Sequence, residues 1–388
     1  MKPVPTILNE KNISSSPRLL MAGVCVENVV GRGLGPSLGY VSQEGLQRAK
    51  WSHPEVVKKL RGVIASGICE ECWVWNTCNR FEIYALFRGE SQPVWETLES
   101  LFFEQHPTQR SRINRMEGRD AIHHLLRTGL GLNSGLPGET DVCDQLAASI
   151  RLSAKVGALR ENGPHLIEKI LKVVAEVRAH TSWGRFSTSY ISAALRGVLE
   201  KSAEDTICEG PIVLVGSSST IHRVSQLLLT EFGVNPRDIT VYHRSHRSNG
   251  LMKVIRRAAF GCRTVQVEEY VSPMLAEAIG ASRLAIFGID RASPVLSGET
   301  LRDARIGIEH STIVLDFNTF NSTSGIETTS GVQLIDAQAI ERSIRDYAAH
   351  LSGDTRFIEA VSEAEKALVS VVPLFDSPVM YKTQEMSW

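Results

Sequence analysis

The sequence predicts an α/β multidomain protein: an α+β unit first, a doubly wound parallel-sheet unit second, and a helical C-terminal segment last. Three observations carry that expectation. The chain has 388 residues, more than a single core ordinarily organises. Its first half sets an alternating, aromatic-rich strand among amphipathic helices. Its second half alternates short apolar runs with helical stretches, the pattern of parallel strands joined by crossovers. Composition is ordinary for a globular protein, 43% apolar and 22% charged. The formal net charge of −1 does not mark a basic nucleic-acid binder, although a local patch is enough to meet a phosphate backbone.

Residues 1–18 are expected as a disordered tail, since Met1 to Pro17 is polar and Ser-rich and lacks the apolar stretch of an export signal. Leu19 to Val26 is a short apolar run suited to a buried strand, and the glycines of residues 31–39 make a loop. Pro54 suits the start of a helix over Val56 to Ile68. Phe81 to Phe87 alternates like a strand, which places Thr77, Cys78, Asn79 and Arg80 on a polar turn between strands. Helices are expected over Arg119 to Gly131, Val142 to Val156 and Leu166 to Arg178, with a loop over Asn133 to Glu139.

The second unit starts near Pro211. Strands are expected at Ile212 to Val215, Ile239 to Tyr242, Ala285 to Phe287 and Thr312 to Leu315, with a helix over Ile221 to Phe232. Val332 to His350 and Phe357 to Val371 read as helices. No apolar run reaches the roughly 18 to 20 residues that span a bilayer, so no membrane partner is expected. Seven cysteines without an export signal suggest reduced thiols and a cytoplasmic location.

Few of these residues carry chemistry. A cysteine acts as a nucleophile through its thiolate, which a nearby cation or turn amide favours. Cys78 has Arg80 two residues on, although a lone cysteine is more often inert and buried. His123 and His124 lie on one helix, where a histidine can move protons near neutrality or merely face solvent. Cys69 and Cys72 form a CxxC, but no second pair completes four ligands, so no metal site is expected. Gly216, Ser217, Ser218, Ser219, Thr220 and Ile221 occupy the strand-to-helix turn of a dinucleotide fingerprint. Only its first glycine is present, and Ser218 adds a Cβ where the backbone should approach a pyrophosphate. Arg244 and Ser245 after the second strand suit the 2′-phosphate of NADPH, or form a solvated basic loop.

Thr77-Cys78-Asn79-Arg80-Phe81-Glu82-Ile83-Tyr84 resembles the signature TCNRTEIY of glutamyl-tRNA reductases. A second block supports the likeness at matching spacing: Ala121 to Arg127, Gly131-Leu132-Asn133-Ser134, Gly138-Glu139 and Gln145, with Arg178 and Thr181 further on. The resemblance implies a catalytic domain over 19–180, a Rossmann-like NADPH-type domain over 181–318, and a shortened spinal or dimerisation segment over 319–388. It implies that Cys78 attacks the ester of glutamyl-tRNA and that NADPH reduces the thioester to glutamate-1-semialdehyde, the tetrapyrrole precursor. Residue by residue, it implies Cys78 as nucleophile and His124 as proton-transfer partner. Thr77, Asn79, Arg80, Ser134, Glu139, Thr140, Asp141 and Gln145 would line the substrate pocket, and a homodimer and a glutamate-1-semialdehyde aminomutase would be partners.

The chain departs from the family at Phe81, at Asn133 (an aspartate in the pattern), at Asp141 to Asp144, at Ser218, and at Gly23 to Val30. The acyl-transfer residues survive better than the hydride-side residues. Two further expectations follow: a paralogue that forms the aminoacyl thioester and passes it to another acceptor, or a non-catalytic tRNA-binding or regulatory relative.

Overall fold

The computed structural model describes residues 17–26, 40–41, 53–77, 80–103, 113–201, 210–244, 262–289, 293–318 and 322–376. Two compact units emerge, one of Met1–Ser189 with Tyr347–Trp388 and one of Tyr190–Asp346. The first unit is therefore built from both ends of the chain.

Its sheet contains β1 (Arg18–Val26), β2 (Tyr40–Val41), β3 (Glu71–Asn76), β4 (Arg80–Phe87) and β5 (Asn114–Glu117). The order is β2-β1-β4-β3, with β5 also on β1; β1, β3, β4 and β5 pair antiparallel and β2 parallel. Every residue of β4 is buried, so its alternation does not separate core from solvent. Successive side chains point to opposite faces, and here each face has its own core. Trp73, Trp75, Tyr84 and Leu86 pack toward α3 (Arg119–Gly129), α4 (Asp141–Lys155) and α5 (Asn162–His180). Cys72, Val74, Ile83, Ala85 and Phe87 pack toward α1 (His53–Ala65) and α2 (Gln92–Phe103). The Trp73 and Tyr84 rings stack at 4.9 Å.

The second unit opens with α6 (Tyr190–Lys201) and holds a six-stranded, wholly parallel sheet of β6 (Ile212–Val215), β7 (Ile239–His243), β8 (Arg263–Gln266), β9 (Leu284–Phe287), β11 (Thr312–Asp316) and β13 (Val332–Ile335). A small parallel pair, β10 (Leu296–Ser297) with β12 (Thr323–Ser324), lies apart from it. The order β8-β7-β6-β9-β11-β13 is the doubly wound order, with a switch point between β6 and β9 where ligands of such sheets bind. Helices α7 (Ser219–Thr230), α8 (Pro273–Gly280) and α9 (Gly298–Ala304) make three of its connections.

The end of the chain corrects the sequence reading. Val332 to Ile335 is not the first turn of a helix: it is strand β13, paired in parallel with β11. Asp336 then accepts the Ala339 N–H at 2.7 Å, a cap that starts α10 (Ala337–Leu351) only after the strand ends. Residues 319–388, expected as one helical segment, are divided between the two units. The last helix, α11 (Thr355–Val371), buries Phe357, Ala360, Val361, Ala364 and Leu368 in the core that covers α3 and α5. Strand β1 begins at Arg18 and Pro17 before it is buried, so the expected tail is shorter there; residues 1–16 lie outside the described residues. Among these residues no helix is long and apolar enough to cross a membrane.

Candidate functional site

Side-chain periodicity on β4 builds the first unit's site. Arg80, Glu82 and Tyr84 are two residues apart and share one face, the face that α3 covers. The Thr77 N–H donates to Arg80 O at 3.0 Å, which joins the ends of β3 and β4. Cys78 and Asn79, between these two positions, lie outside the described residues.

Arg80 is only 1% exposed. Its Nη2 donates to Asn133 O at 3.3 Å and lies 3.5 Å from Ser134 Oγ, and the guanidinium lies 5.1 Å from the centre of the Trp75 ring. Its Nε and Nη1 have no hydrogen-bond partner among the described residues. Burying a charge costs several kcal/mol unless it is paired and hydrogen-bonded. Open donors on a buried cation suit an anionic partner such as a carboxylate.

Two buried glutamates stand near this cation and titrate in opposite directions. Burial pushes the Glu139 carboxyl up, with Asp141 adding to it, against the pull of Arg80 and a hydrogen bond from Ser134. Burial acts on Glu82 in the same sense. The pull of His124 and its hydrogen bond, then Arg80 and the Tyr84 hydroxyl, outweigh burial there and hold Glu82 below the ordinary carboxylate value. His124 is 4% exposed. Its Nε2 lies 2.9 Å from Glu82 Oε1, and the Tyr84 hydroxyl donates to Glu82 Oε2 at 2.8 Å.

The loop after α3 closes the network. The Asn133 Nδ2 donates to Thr128 Oγ1 at 3.0 Å and lies 3.4 Å from His124 Nδ1, while Arg127 Nε donates to Asn133 Oδ1 at 3.1 Å. Arg127 is also paired with Glu365 of α11. Arg178 of α5 pins the loop from its other side, donating to the carbonyls of Leu130 at 2.8 Å, Glu139 at 3.0 Å and Gly138 at 3.2 Å. Gly131, at φ 74°, leaves no room for a side chain, because a Cβ there would lie 2.6 Å from Glu139 N.

Of the residues expected from sequence, Arg80, His124, Ser134 and Glu139 come together, with buried Thr77 at the end of β3. Thr140 donates its hydroxyl to Thr188 O at 3.0 Å, which commits it to the loop. Asp141 opens α4, and Gln145 lies half-buried one turn on. Sequence reasoning missed Glu82, Tyr84, Arg127 and Glu365 as site components. For Glu82 a signal existed: on a strand, it must share the face of Arg80.

The second unit keeps its own candidate site at the switch point. Gly216, at φ 124°, ends β6, and a Cβ there would lie 2.6 Å from Gly288 O. Ser218 caps α7, accepting the Ile221 N–H at 3.4 Å, and donates to Gly288 O at 2.6 Å. Ser217 and Thr220 are half-buried and Ile221 is buried. The Ser218 side chain is thus bound to the loop after β9, and the remaining first-turn amides of α7 are the kind of donors that hold phosphate. Arg244 follows β7, exposed, 3.7 Å from Glu269 and with its guanidinium 5.9 Å from the Tyr270 ring centre. Ser245 lies outside the described residues. Close backbone approach, a helix N-terminus and an arginine after the second strand fit a phosphorylated dinucleotide.

Cys69 and Cys72 are buried free thiols. Among the described residues no group of three or more His, Cys, Asp or Glu could hold a metal.

Comparison with known proteins adds the following. Residues 40–181 match the family described as glutamyl-tRNAGlu reductase, N-terminal domain. A glutamyl-tRNA reductase from a Synechococcus species is 24% identical over 324 residues, 82% of this chain and 72% of its own. Another from a Picosynechococcus species is 25% identical over 301 residues, 76% of this chain and 67% of its own. The solved glutamyl-tRNA reductase from Methanopyrus kandleri aligns with 92% of this chain and 79% of its own at 18% identity, with a TM-score of 0.46.

Proposed function

We propose that this chain, which belongs to the glutamyl-tRNA reductase family, reduces the esterified carboxyl of tRNA-bound glutamate to an aldehyde. The observation that carries this reading is Arg80: a buried cation with two donors unpartnered among the described residues, two residues from Cys78 in sequence. The Cys78 thiolate attacks the ester carbonyl, the carbon–oxygen bond to the tRNA ribose breaks, and the ribose oxygen leaves with a proton. The glutamyl group is then a thioester, a better hydride acceptor than the ester. Arg80 binds a substrate carboxylate through its open donors, and buried Glu139 faces the substrate ammonium, with Thr77, Asn79 and Ser134 around them. Thr140, Asp141 and Gln145 complete the pocket wall, and His124 handles the proton through Glu82.

NADPH supplies the hydride when bound. Gly216, Ser217, the turn from Ser218 to Ile221, and Arg244 with Ser245 would hold it. The product, glutamate-1-semialdehyde, is a reactive aldehyde, so an aminomutase that consumes it is the expected partner. A homodimer and a cytoplasmic location belong to the same reading.

A single-turnover assay with charged glutamyl-tRNA, with and without NADPH and beside Cys78→Ser, tests it. Semialdehyde should form only with both NADPH and Cys78. An acyl-enzyme that NADPH leaves untouched would replace this reading with acyl transfer to another acceptor. Absence of any Cys78 adduct would leave a tRNA-binding or regulatory role.

A further inference from the structure

We infer that Asn133 is a positioning residue that fixes His124 as the neutral tautomer with its single proton on Nε2, aimed at Glu82. The inference rests on His124 belonging to the reductase site, but its test requires no turnover.

The argument begins at the far end of the network. An arginine only donates hydrogen bonds, so the atom of Asn133 that meets Arg127 Nε at 3.1 Å is the amide oxygen. The Arg127–Glu365 pair holds that guanidinium in place. Amide orientation is ordinarily ambiguous, and here the guanidinium settles it. The other end of the amide is then NH2, which only donates. It meets Thr128 Oγ1 at 3.0 Å, His124 Nδ1 at 3.4 Å and the His124 carbonyl at 3.5 Å.

A proton on Nδ1 would set donor against donor in a buried space, with the amide unable to turn. Nδ1 must therefore be the bare acceptor, and the ring proton belongs on Nε2, 2.9 Å from Glu82 Oε1. The charged groups about this network are Glu82 and Arg80 on β4 and Arg127 on α3. Glu365 on α11 spends its charge on Arg127 and His123.

An aspartate at this position would reverse the outcome. Its carboxylate accepts from Nδ1–H, so the ring would lie between two carboxylates and keep both protons. The family pattern has aspartate here, so the exchange changes the charge of the buried ring while leaving its place in the fold intact. His124 in this chain passes or holds one proton along the Glu82 direction and offers none toward residue 133.

Heteronuclear NMR of histidine-labelled full-length protein near neutral pH tests this, with the His124 signals assigned by their loss in His124→Gln. The expected result is one ring proton, on Nε2, in the parent and protons on both ring nitrogens in Asn133→Asp. A parent ring protonated on Nδ1, or an Asn133→Asp ring unchanged from the parent, would overturn the inference. If Asn133→Asp does not fold, Arg127→Met decides. Freed from the guanidinium, the amide can turn, and an Nδ1–H form should appear; an unchanged ring would overturn the inference. Acylation by glutamyl-tRNA is read separately on the same parent sample. An Nε2 tautomer without any acyl-enzyme would leave this inference standing and remove the functional reading above.

Discussion

In the first unit the candidate site is made of side chains. Arg80, Glu82, His124 and Glu139 are each less than a tenth exposed and fix one another through hydrogen bonds and charge. In the second unit the corresponding place is made of backbone: a glycine at φ 124°, a helix N-terminus, and one serine tied to Gly288 O. A site of buried polar side chains tolerates little change, because removing one partner leaves another uncompensated. A site of amides and turns survives while the turn keeps its shape. The difference explains how the second fingerprint glycine can become Ser218. Its side chain bonds the neighbouring loop, and the turn is closed by that bond.

The largest effect that would sharpen this comparison is expected for Arg80→Met. Losing a buried charge-assisted contact to substrate costs about 2–5 kcal/mol, so Cys78 acylation should slow by on the order of 10²-fold or more. Thermal stability should fall as well, because Glu82 and Glu139 lose the buried cation that pulls both carboxyls down. Rapid-quench measurement of acyl-enzyme beside a melting curve checks both; unchanged acylation would take Arg80 out of the site.

A smaller effect is expected for Gly216→Ala. A strained φ and the short approach to Gly288 O together cost about 1–3 kcal/mol. NADPH binding, followed by fluorescence titration, should weaken about tenfold, with acylation falling far less. Equal losses in both assays would break the distinction between the two sites.

The smallest effects concern pH. The lowered Glu82 carboxyl contributes stability that is complete above the ordinary glutamate value and is lost as pH falls through its folded value. Glu139, raised by burial, contributes in the opposite sense. Its share is complete below the ordinary value and is lost as pH rises through its folded value. Glu82→Gln should therefore flatten the acid limb of the stability profile, and Glu139→Gln the limb above it. Chemical denaturation across pH would show whether the two carboxylates behave as opposites.

The same contrast explains what could be read in advance. That Arg80, His124, Ser134 and Glu139 would be neighbours was legible because the motif fixes their spacing, whereas Cys78 lies outside the described residues. The doubly wound sheet was legible from its apolar runs at Ile212, Ile239 and Thr312. Strand β13 was not, since Val332 to Ile335 is short, and only its pairing with β11 separates it from a first helical turn. Arg263–Gln266 was missed for a related reason: it is the edge strand β8, only part-buried, and carries a weak apolar signal. Glu365 was illegible as a site component because its partner Arg127 is remote in sequence, and no local pattern announces a long-range pair.

The two-ended construction of the first unit bears on how the protein is born. A ribosome releases residues 1–189 early, then all of Tyr190–Asp346, and only afterwards α11. Segments emerging together can fold as they appear, so the parallel sheet can close while the earlier unit still lacks its covering helix. Until Glu365 emerges, Arg127 lacks its α11 counter-ion, so one contact on the guanidinium that meets Asn133 is still missing. The nascent chain thus carries Arg80 and His124 long before it carries the helix whose Glu365 pairs with Arg127.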